Sequence, residues 1–246
     1  MFENLKNLDL IHFIDINATN ISNMNNLFRK CVSLTSIDLT IFDTSKVTDM
    51  TSMFQECLSL KSINLKNFNT GNLKQMGSMF FHCFDLTSID ITKFNVSNVE
   101  NMDYLFHDYL DLKTIDMPNC TTTNLNSMNG IFKGCYSLLS IDLSRFNTEK
   151  VKYMVSAFED CSSLKEINIS TFNTSNVYDI HKIFYGCLEL TSIILNNSTF
   201  KTDNMYDLSY MFAGCLNLTS IDLSSFNTKD IPIWNICFHA VQQSNQ

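Results

Sequence analysis

A pattern that recurs with a period of about 26 residues constrains the fold of this chain more than any other feature of its sequence. The stretch CVSLTSIDLTIFDTSKVTDMTSMFQE begins at Cys31, and CLSLKSINLKNFNTGNLKQMGSMFFH follows it directly at Cys57. One isoleucine per unit marks nine units, which are centred on Ile11, Ile37, Ile63, Ile89, Ile115, Ile141, Ile167, Ile193 and Ile221. The last interval is longer than the others by two positions, which places an insertion near residues 196–199. Self-similarity at this period predicts a solenoid of stacked units.

Within one unit the hydrophobic period changes once. In SLTSIDL, the apolar residues Ile37 and Leu39 alternate around a polar residue, as in a strand. In VTDMTSMFQEC, the apolar residues recur at intervals of three and four, as on one face of a helix: Val47, Met50, Met53, Phe54 and Cys57. We therefore predict an α/β solenoid of about nine rungs, with a parallel β-sheet on the concave face and short helices on the convex face.

Length, charge and hydropathy narrow the class of protein. No Pro- or Gly-rich joint interrupts the 246 residues, so we expect a single repeat array over residues 1–246. A net charge of -8 argues against nucleic acid as a partner, because nucleic-acid binding needs a basic face. No apolar run approaches the length that a membrane-spanning helix needs, so we expect no transmembrane segment. The start of the chain, MFENLKNLDLIHF, does not have the pattern of a secretory signal.

The repeat resembles that of the BspA-like leucine-rich-repeat surface proteins, whose units read like FNTSxVTxMSxMFxxCxSLxxIDL. The best matching stretches are SRFNTEKVKYMVSAFEDCSSL from Ser144 and DLSSFNTKD from Asp222. This resemblance implies a leucine-rich-repeat-like fold and a cell-surface or secreted protein, often a lipoprotein or a wall-anchored protein, used for attachment. The chain shows no signal peptide, lipobox cysteine or sorting tail, so a cytoplasmic location is kept as the alternative.

Seven of the nine cysteines occupy one position of the repeat: Cys31, Cys57, Cys83, Cys135, Cys161, Cys187 and Cys215. The other two, Cys120 and Cys237, replace Phe and Met at other apolar positions. A cysteine that alternates with apolar residues behaves as a small hydrophobic side chain, so we predict buried free thiols. Disulfides between neighbouring rungs in an oxidising compartment, and zinc binding, are kept as alternatives.

The histidines and the motifs argue against catalysis. We expect His12, His82, His107, His181 and His239 not to cluster, because they fall at different positions of the repeat. No G-x-S-x-G, P-loop or H-E-x-x-H motif is present. The sequence therefore predicts no catalytic residue, no enzyme activity and no cofactor.

The residues on either side of the repeated isoleucine form the candidate binding surface, because strand side chains alternate between core and solvent. We call this set the Asp/Ser strip: Ser36, Asp38, Ser62, Asn64, Ser88, Asp90, Thr114, Asp116, Ser140, Asp142, Asn168, Ser220 and Asp222. Carboxylates stacked at one strand spacing repel one another. We expect no metal there and a solvated surface; the weaker alternative is a Ca²⁺ site at Asp90, Asp116 and Asp142, since carboxylates and hydroxyls bind hard cations.

These observations together predict a non-enzymatic binding or adhesion protein that presents the concave Asp/Ser strip to a protein or glycan at the cell surface. The alternative is an intracellular leucine-rich-repeat scaffold for protein–protein interaction. Little chain is left over to cap the array, which ends through Trp234 and Phe238, so we also consider end-to-end self-association.

Overall fold

The computed structural model describes residues 2–13, 18–118 and 120–227, and within them parallel strands join residues one repeat apart. The strands are β1 (Leu10–Ile11), β2 (Ser36–Ile37), β3 (Glu166–Asn168) and β4 (Ser192–Ile194). Strand β1 pairs with β2, and β3 pairs with β4, each in a register that places Ile on Ile. The units therefore stack as rungs, and residues at the same repeat position form columns along the array.

The continuous sheet that we predicted at the isoleucine column is only partly formed. Within the described ranges it is reduced to the two strand pairs and one bridge, between Asp90 and Asp116. Each of the four strands ends at the repeated isoleucine or at the residue after it, so each contains only two or three residues. The prediction of one array over residues 1–246 stays a prediction, because residues 228–246 lie outside the described part.

A second and longer parallel ladder lies where the helices were expected to begin. Its bridges join eight rungs in succession through Asn23, Asp49, Gln75, Asn101, Ser127, Tyr153, Asp179 and Asp207. Each step along it equals one period of the repeat up to Asp179, and the step from Asp179 to Asp207 is longer by two positions. Asn168 and Ile194 still pair at the ordinary period. The two extra residues are therefore accommodated between Ile194 and Asp207, which includes the expected place.

The predicted helices are wrong: the described residues contain no α-helix. In their place, every second N–H donates to a carbonyl of the next rung, as Met50 does to Gln75 at 2.9 Å and Phe54 to Met79 at 3.0 Å. The N–H groups between them close four-residue turns, as the Met53 N–H does onto the Met50 carbonyl. Both kinds of bond replace the i→i−4 bonds of a helix. In the described part of the chain, accordingly, no helix could cross a membrane.

Two residues per rung adopt the left-handed backbone conformation that an α-helix excludes. In the second rung these are Ser52 (φ 56°) and Glu56 (φ 59°). The first column continues through Asn26, Ser78, Tyr104, Gly130, Ser156, Lys182 and Tyr210, and the second through Lys30, His82, Asp108, Gly134, Asp160, Gly186 and Gly214. Each rung thus crosses this side of the molecule as consecutive tight turns.

The apolar columns form one core, as the spacing predicted. Val47, Met50, Met53, Phe54 and Cys57 are all fully buried, and the same positions are buried in the described rungs that follow, whereas Ile21 and Leu27 in the preceding rung are half-buried. Neighbouring rings of one phenylalanine column stack 5.5–6.1 Å apart, centroid to centroid: Phe2, Phe28, Phe54, Phe80, Phe106, Phe132, Phe158, Phe184 and Phe212. The stack ties each rung to its neighbours along the described array.

A column of buried threonines holds the other side of each rung. The hydroxyl of Thr148 accepts a hydrogen bond from the Asn173 N–H at 2.8 Å and donates one to the Asn173 carbonyl at 2.9 Å. The same acceptor role recurs at Thr44, Thr70, Thr122, Thr174 and Thr202. This column satisfies backbone groups that would otherwise be buried without partners.

Candidate binding surface

All thirteen residues of the Asp/Ser strip are exposed, while the isoleucines between them are buried or half-buried. Backbone bonds just before the strip hold successive rungs in register, as from Lys61 N–H to the Thr35 carbonyl at 3.2 Å. The strip is therefore a polar band of side chains that follows the array, with the residue positions that the alternation predicted.

Most acidic and amide side chains of the strip also have a structural role that the sequence reasoning missed. The Oδ1 atom of Asp38 accepts the Thr40 N–H at 2.9 Å and the Thr40 hydroxyl at 2.7 Å. The same bond to the N–H two residues ahead recurs at Asn64, Asp90, Asp142, Asn168 and Asp222. It lowers the pKa of Asp38, chiefly through the Thr40 N–H. Asp and Asn share this column because both can close the turn.

Asp116 is the exception in this column. The residue two positions ahead is Pro118, which has no N–H to donate, so the turn bond cannot form. In residues 2–13, 18–118 and 120–227, no hydrogen bond or ion pair to the Asp116 carboxylate is found. It lies beside Asp90 across the parallel bridge and lines an open depression that Arg145 also borders. Asp116 is thus an exposed carboxylate available to an incoming donor.

The three carboxylates of the calcium alternative are not brought together as a ligand group. Within the described residues, two groups of side chains have ligand atoms within 4.8 Å of one another, and neither group includes any of these three carboxylates. Asp90 and Asp142 each use one carboxylate oxygen to close their own turn. The calcium alternative stays a prediction.

The eight cysteines in the described part of the chain are unpaired, and all but the half-buried Cys120 are buried. Each thiol of the main column donates to the carbonyl of a phenylalanine in the preceding rung, as Cys83 does to Phe54 at 3.0 Å. Burial raises the pKa of Cys83 and of Cys215 to about 12. Such thiols are protonated and unreactive near neutral pH. Cys237 lies outside the described residues.

The expectation that the histidines do not cluster is wrong for two of them. The Nε2 atom of His82 lies 2.7 Å from Asp108 Oδ2, and Nε2 of His107 lies 3.3 Å from Asp108 Oδ1. A carboxylate only accepts, so the nitrogen of His82 carries the proton in this contact. Burial lowers the pKa of His107 despite the neighbouring Asp108 charge, so its neutral form is favoured.

The repeat register contains the signal for this group. Asp108 follows His82 by one period of the repeat, so the two lie in the same column on adjacent rungs, and His107 immediately precedes Asp108. A second group of this kind joins Asp179, His181 and Asp207. There the His181 Nδ1 atom lies 2.9 Å from Asp179 and 3.9 Å from Asp207. His239 lies outside the described residues.

Comparison with protein families finds one match that extends along the chain. A family model described as a Mycoplasma protein of unknown function, DUF285, matches residues 1–114, 111–196 and 156–246. No match was found among the curated proteins.

Several solved structures are similar to this chain at low identity. A leucine-rich repeat protein from Eubacterium ventriosum is 19% identical, with 81% of this chain and 60% of that chain covered and a TM-score of 0.46. The leucine-rich repeat protein of T. pallidum is 18% identical, with 80% and 70% covered and a TM-score of 0.38. A leucine-rich cell surface protein from Faecalibacterium prausnitzii is 18% identical, with 96% and 77% covered and a TM-score of 0.33. The chain thus spans less than two thirds of the first of these proteins.

Proposed function

We propose that the chain, which belongs to the DUF285 family of Mycoplasma proteins of unknown function, is a non-enzymatic binding protein. It presents the Asp/Ser strip to a protein or glycan at the cell surface. The observation that carries the proposal is the strip itself, in which thirteen polar residues are exposed along the array. Its carboxylates, amides and hydroxyls can accept and donate hydrogen bonds to sugar hydroxyls or to a basic peptide segment.

Asp116 is the residue within the strip that we expect to contribute most to binding. The other acidic residues of the strip close turns within their own rungs. The Asp116 carboxylate has no such bond to lose, and it borders an open depression of about 320 Å³. An ammonium, guanidinium or hydroxyl group of the partner is the chemistry that fits it.

Charge reversal at this residue tests the proposal. The chain would be screened against a glycan array and immobilised extracellular-matrix proteins, and each hit would be measured with Asp116→Lys and with Glu149→Lys. Glu149 is an exposed carboxylate away from the strip, so its variant is the matched control. We expect Asp116→Lys alone to abolish binding. Equal binding by the two variants would reject the strip as the binding surface, and the absence of any hit for the parent would reject the proposed binding of a glycan or a matrix protein.

The unpaired thiol column supports the second candidate function, an intracellular scaffold that binds a protein through the same strip. Disulfides persist in oxidising compartments and are rare in the cytosol, and the seven stacked cysteines of the main column are all free. Fractionation of cells that express the protein, with surface labelling by a membrane-impermeant reagent, separates the two locations. Surface labelling is expected for the adhesion proposal, and its absence in intact cells favours the scaffold.

A further inference from the structure

We propose that His82, His107 and Asp108 bind a divalent transition-metal ion, with Zn²⁺ as the best fit, between two adjacent rungs. Their donor atoms lie within 4.8 Å of one another. In a tetrahedral zinc site with bonds of about 2.0–2.1 Å, neighbouring ligand atoms are separated by about 3.3 Å. His82 Nε2 lies 2.7 Å from Asp108 Oδ2, and His107 Nε2 lies 3.3 Å from Asp108 Oδ1, so neither contact is longer than this separation. When the ion binds, His82 Nε2 releases the proton that it donates to the carboxylate, because only an unprotonated nitrogen coordinates a metal.

The ligand types select the class of metal. Two imidazoles and one carboxylate suit Zn²⁺ and its transition-metal neighbours, whereas Ca²⁺ and Mg²⁺ prefer oxygen ligands alone. The three side chains are 28%, 14% and 28% exposed, in the order His82, His107 and Asp108, so the group lies at the surface with one side open. The fourth position would hold water, or a ligand atom from another molecule.

The backbone and the neighbouring rings hold the three side chains in place. His82 and Asp108 occupy equivalent left-handed positions, with φ of 57° and 60°, so the same turn geometry presents both. The Phe81 ring lies 3.9 Å from the His82 ring and 4.6 Å from the His107 ring, centroid to centroid, and Phe84 stacks on His82 at 5.1 Å. These rings restrict the imidazoles and exclude water from one side of the group, which strengthens coordination.

The charge of Lys133, which acts on His107, does not oppose a metal at full strength. Lys133 on the following rung is paired with the buried Glu159 at 3.0 Å, which offsets its charge. The other ring nitrogen of His107, Nδ1, is buried without a hydrogen-bond partner. We therefore expect an affinity below that of zinc sites whose histidines are supported by a second carboxylate or carbonyl.

Isothermal titration of Zn²⁺ into the untagged full chain tests the proposal, after accessible thiols have been alkylated on the folded protein. We expect one ion per chain and a raised melting temperature with zinc, because an ion that binds only the folded state stabilises it. His82→Lys and His107→Gln introduce the residues that occupy the same columns in other rungs, Lys30 and Gln55. Each should weaken binding by more than the roughly 10- to 100-fold that loss of a supporting partner causes.

His181→Asn is the matched control, because it removes a histidine from the other group and introduces the residue found at Asn25 and Asn129 in its column. This variant should bind zinc like the parent, and all three variants should keep the parent's melting temperature without zinc. No zinc binding by the parent overturns the proposal. So does binding that persists in both His82→Lys and His107→Gln, and so does loss of binding in His181→Asn alone, which would place the ion at the other group.

Discussion

The asparagine and threonine of the repeated FNT motif each satisfy backbone groups that the turns would otherwise leave without partners. The side chain of Asn147 accepts the Glu149 N–H at 2.9 Å, while the Thr148 hydroxyl bonds both backbone groups of Asn173 in the next rung. One residue thus closes a turn within the rung and its neighbour joins two rungs. The threonine is buried and the asparagine is half-buried, so burial alone makes the threonine the more costly to replace.

We expect Thr148→Val to destabilise the fold although valine keeps the shape of threonine. The change leaves the N–H and the carbonyl of Asn173 without their partner, at a cost of about 1–3 kcal/mol in the free energy of unfolding. Urea denaturation of the parent and the variant measures the difference. Thr87→Val is the control, because Thr87 is exposed at a column that carries Lys61 and Leu139 in other rungs. Equal losses in the two variants would contradict the role given to the buried hydroxyl.

The thiol column predicts a large difference between native and unfolded protein in alkylation. Burial and the raised pKa of Cys83 and Cys215 should protect the main column at pH 8, so native protein should react chiefly at the half-buried Cys120 among the described cysteines. Denatured, unreduced protein should yield all nine thiols. Peptide mapping by mass spectrometry locates the label. A yield of only one or two thiols after denaturation would show that the column is bridged.

At the scale of the element, the left-handed position of a turn can carry a side chain only where the neighbouring rung leaves room for it. Gly134 has φ of +69°, and a Cβ atom there would meet the Asp108 carboxylate of the preceding rung. Gly186 is placed in the same way beneath Asp160. From Asp108 to Gly186, an aspartate is thus followed on the next rung by a glycine, whose missing Cβ leaves room for the carboxylate.

Gly134→Ala should therefore destabilise the protein by at least roughly 1–2 kcal/mol, the cost of a left-handed alanine, before any displacement of Asp108 is counted. Gly71→Ala is the matched control, because Gly71 has no positive φ and its added Cβ would only touch Asn69 Oδ1 at 3.4 Å. Thermal unfolding of both variants gives the comparison. A Gly134→Ala variant as stable as Gly71→Ala would show that the turn is less constrained than its geometry indicates.

The sequence predicted which side of each segment is buried but not the backbone that buries it. The spacing of Val47, Met50 and Phe54 is met equally by a helix and by consecutive turns, so periodicity could not separate the two. Glycines at left-handed positions would have signalled turns, but in the second rung these positions carry Ser52 and Glu56. The bonds between rungs that stabilise such a conformation are contacts of long sequence separation, which local propensity does not report.

For the candidate sites, the repeat register was the informative part of the sequence. Alternation around the isoleucines placed all thirteen strip residues at the surface, as observed. The same register brings His82 next to Asp108, which lies one period further along the chain. A comparison of the histidines with one another alone does not reveal this aspartate. The exceptional Asp116 could be found from sequence through Pro118, once the turn bond of its column is known.

At the scale of the whole molecule, stability comes from contacts between neighbouring rungs. Stacked phenylalanines, the threonine column and the backbone bonds of the turns all link one rung to the next. No rung can satisfy its backbone groups alone, so the array is expected to behave as a chain of coupled units. The Asp/Ser strip and the histidine group are both products of this stacking, since each is built from residues about one period apart.

The central claim is that the segments read as helices are turns bonded to the next rung, and solution NMR can test it directly. A scalar coupling across a hydrogen bond identifies which carbonyl accepts a given N–H. For the N–H of Phe54, the structure predicts a coupling to the carbonyl of Met79, one rung away. A coupling from Phe54 to Met50 instead, four residues back, would be the helical pattern and would contradict the account.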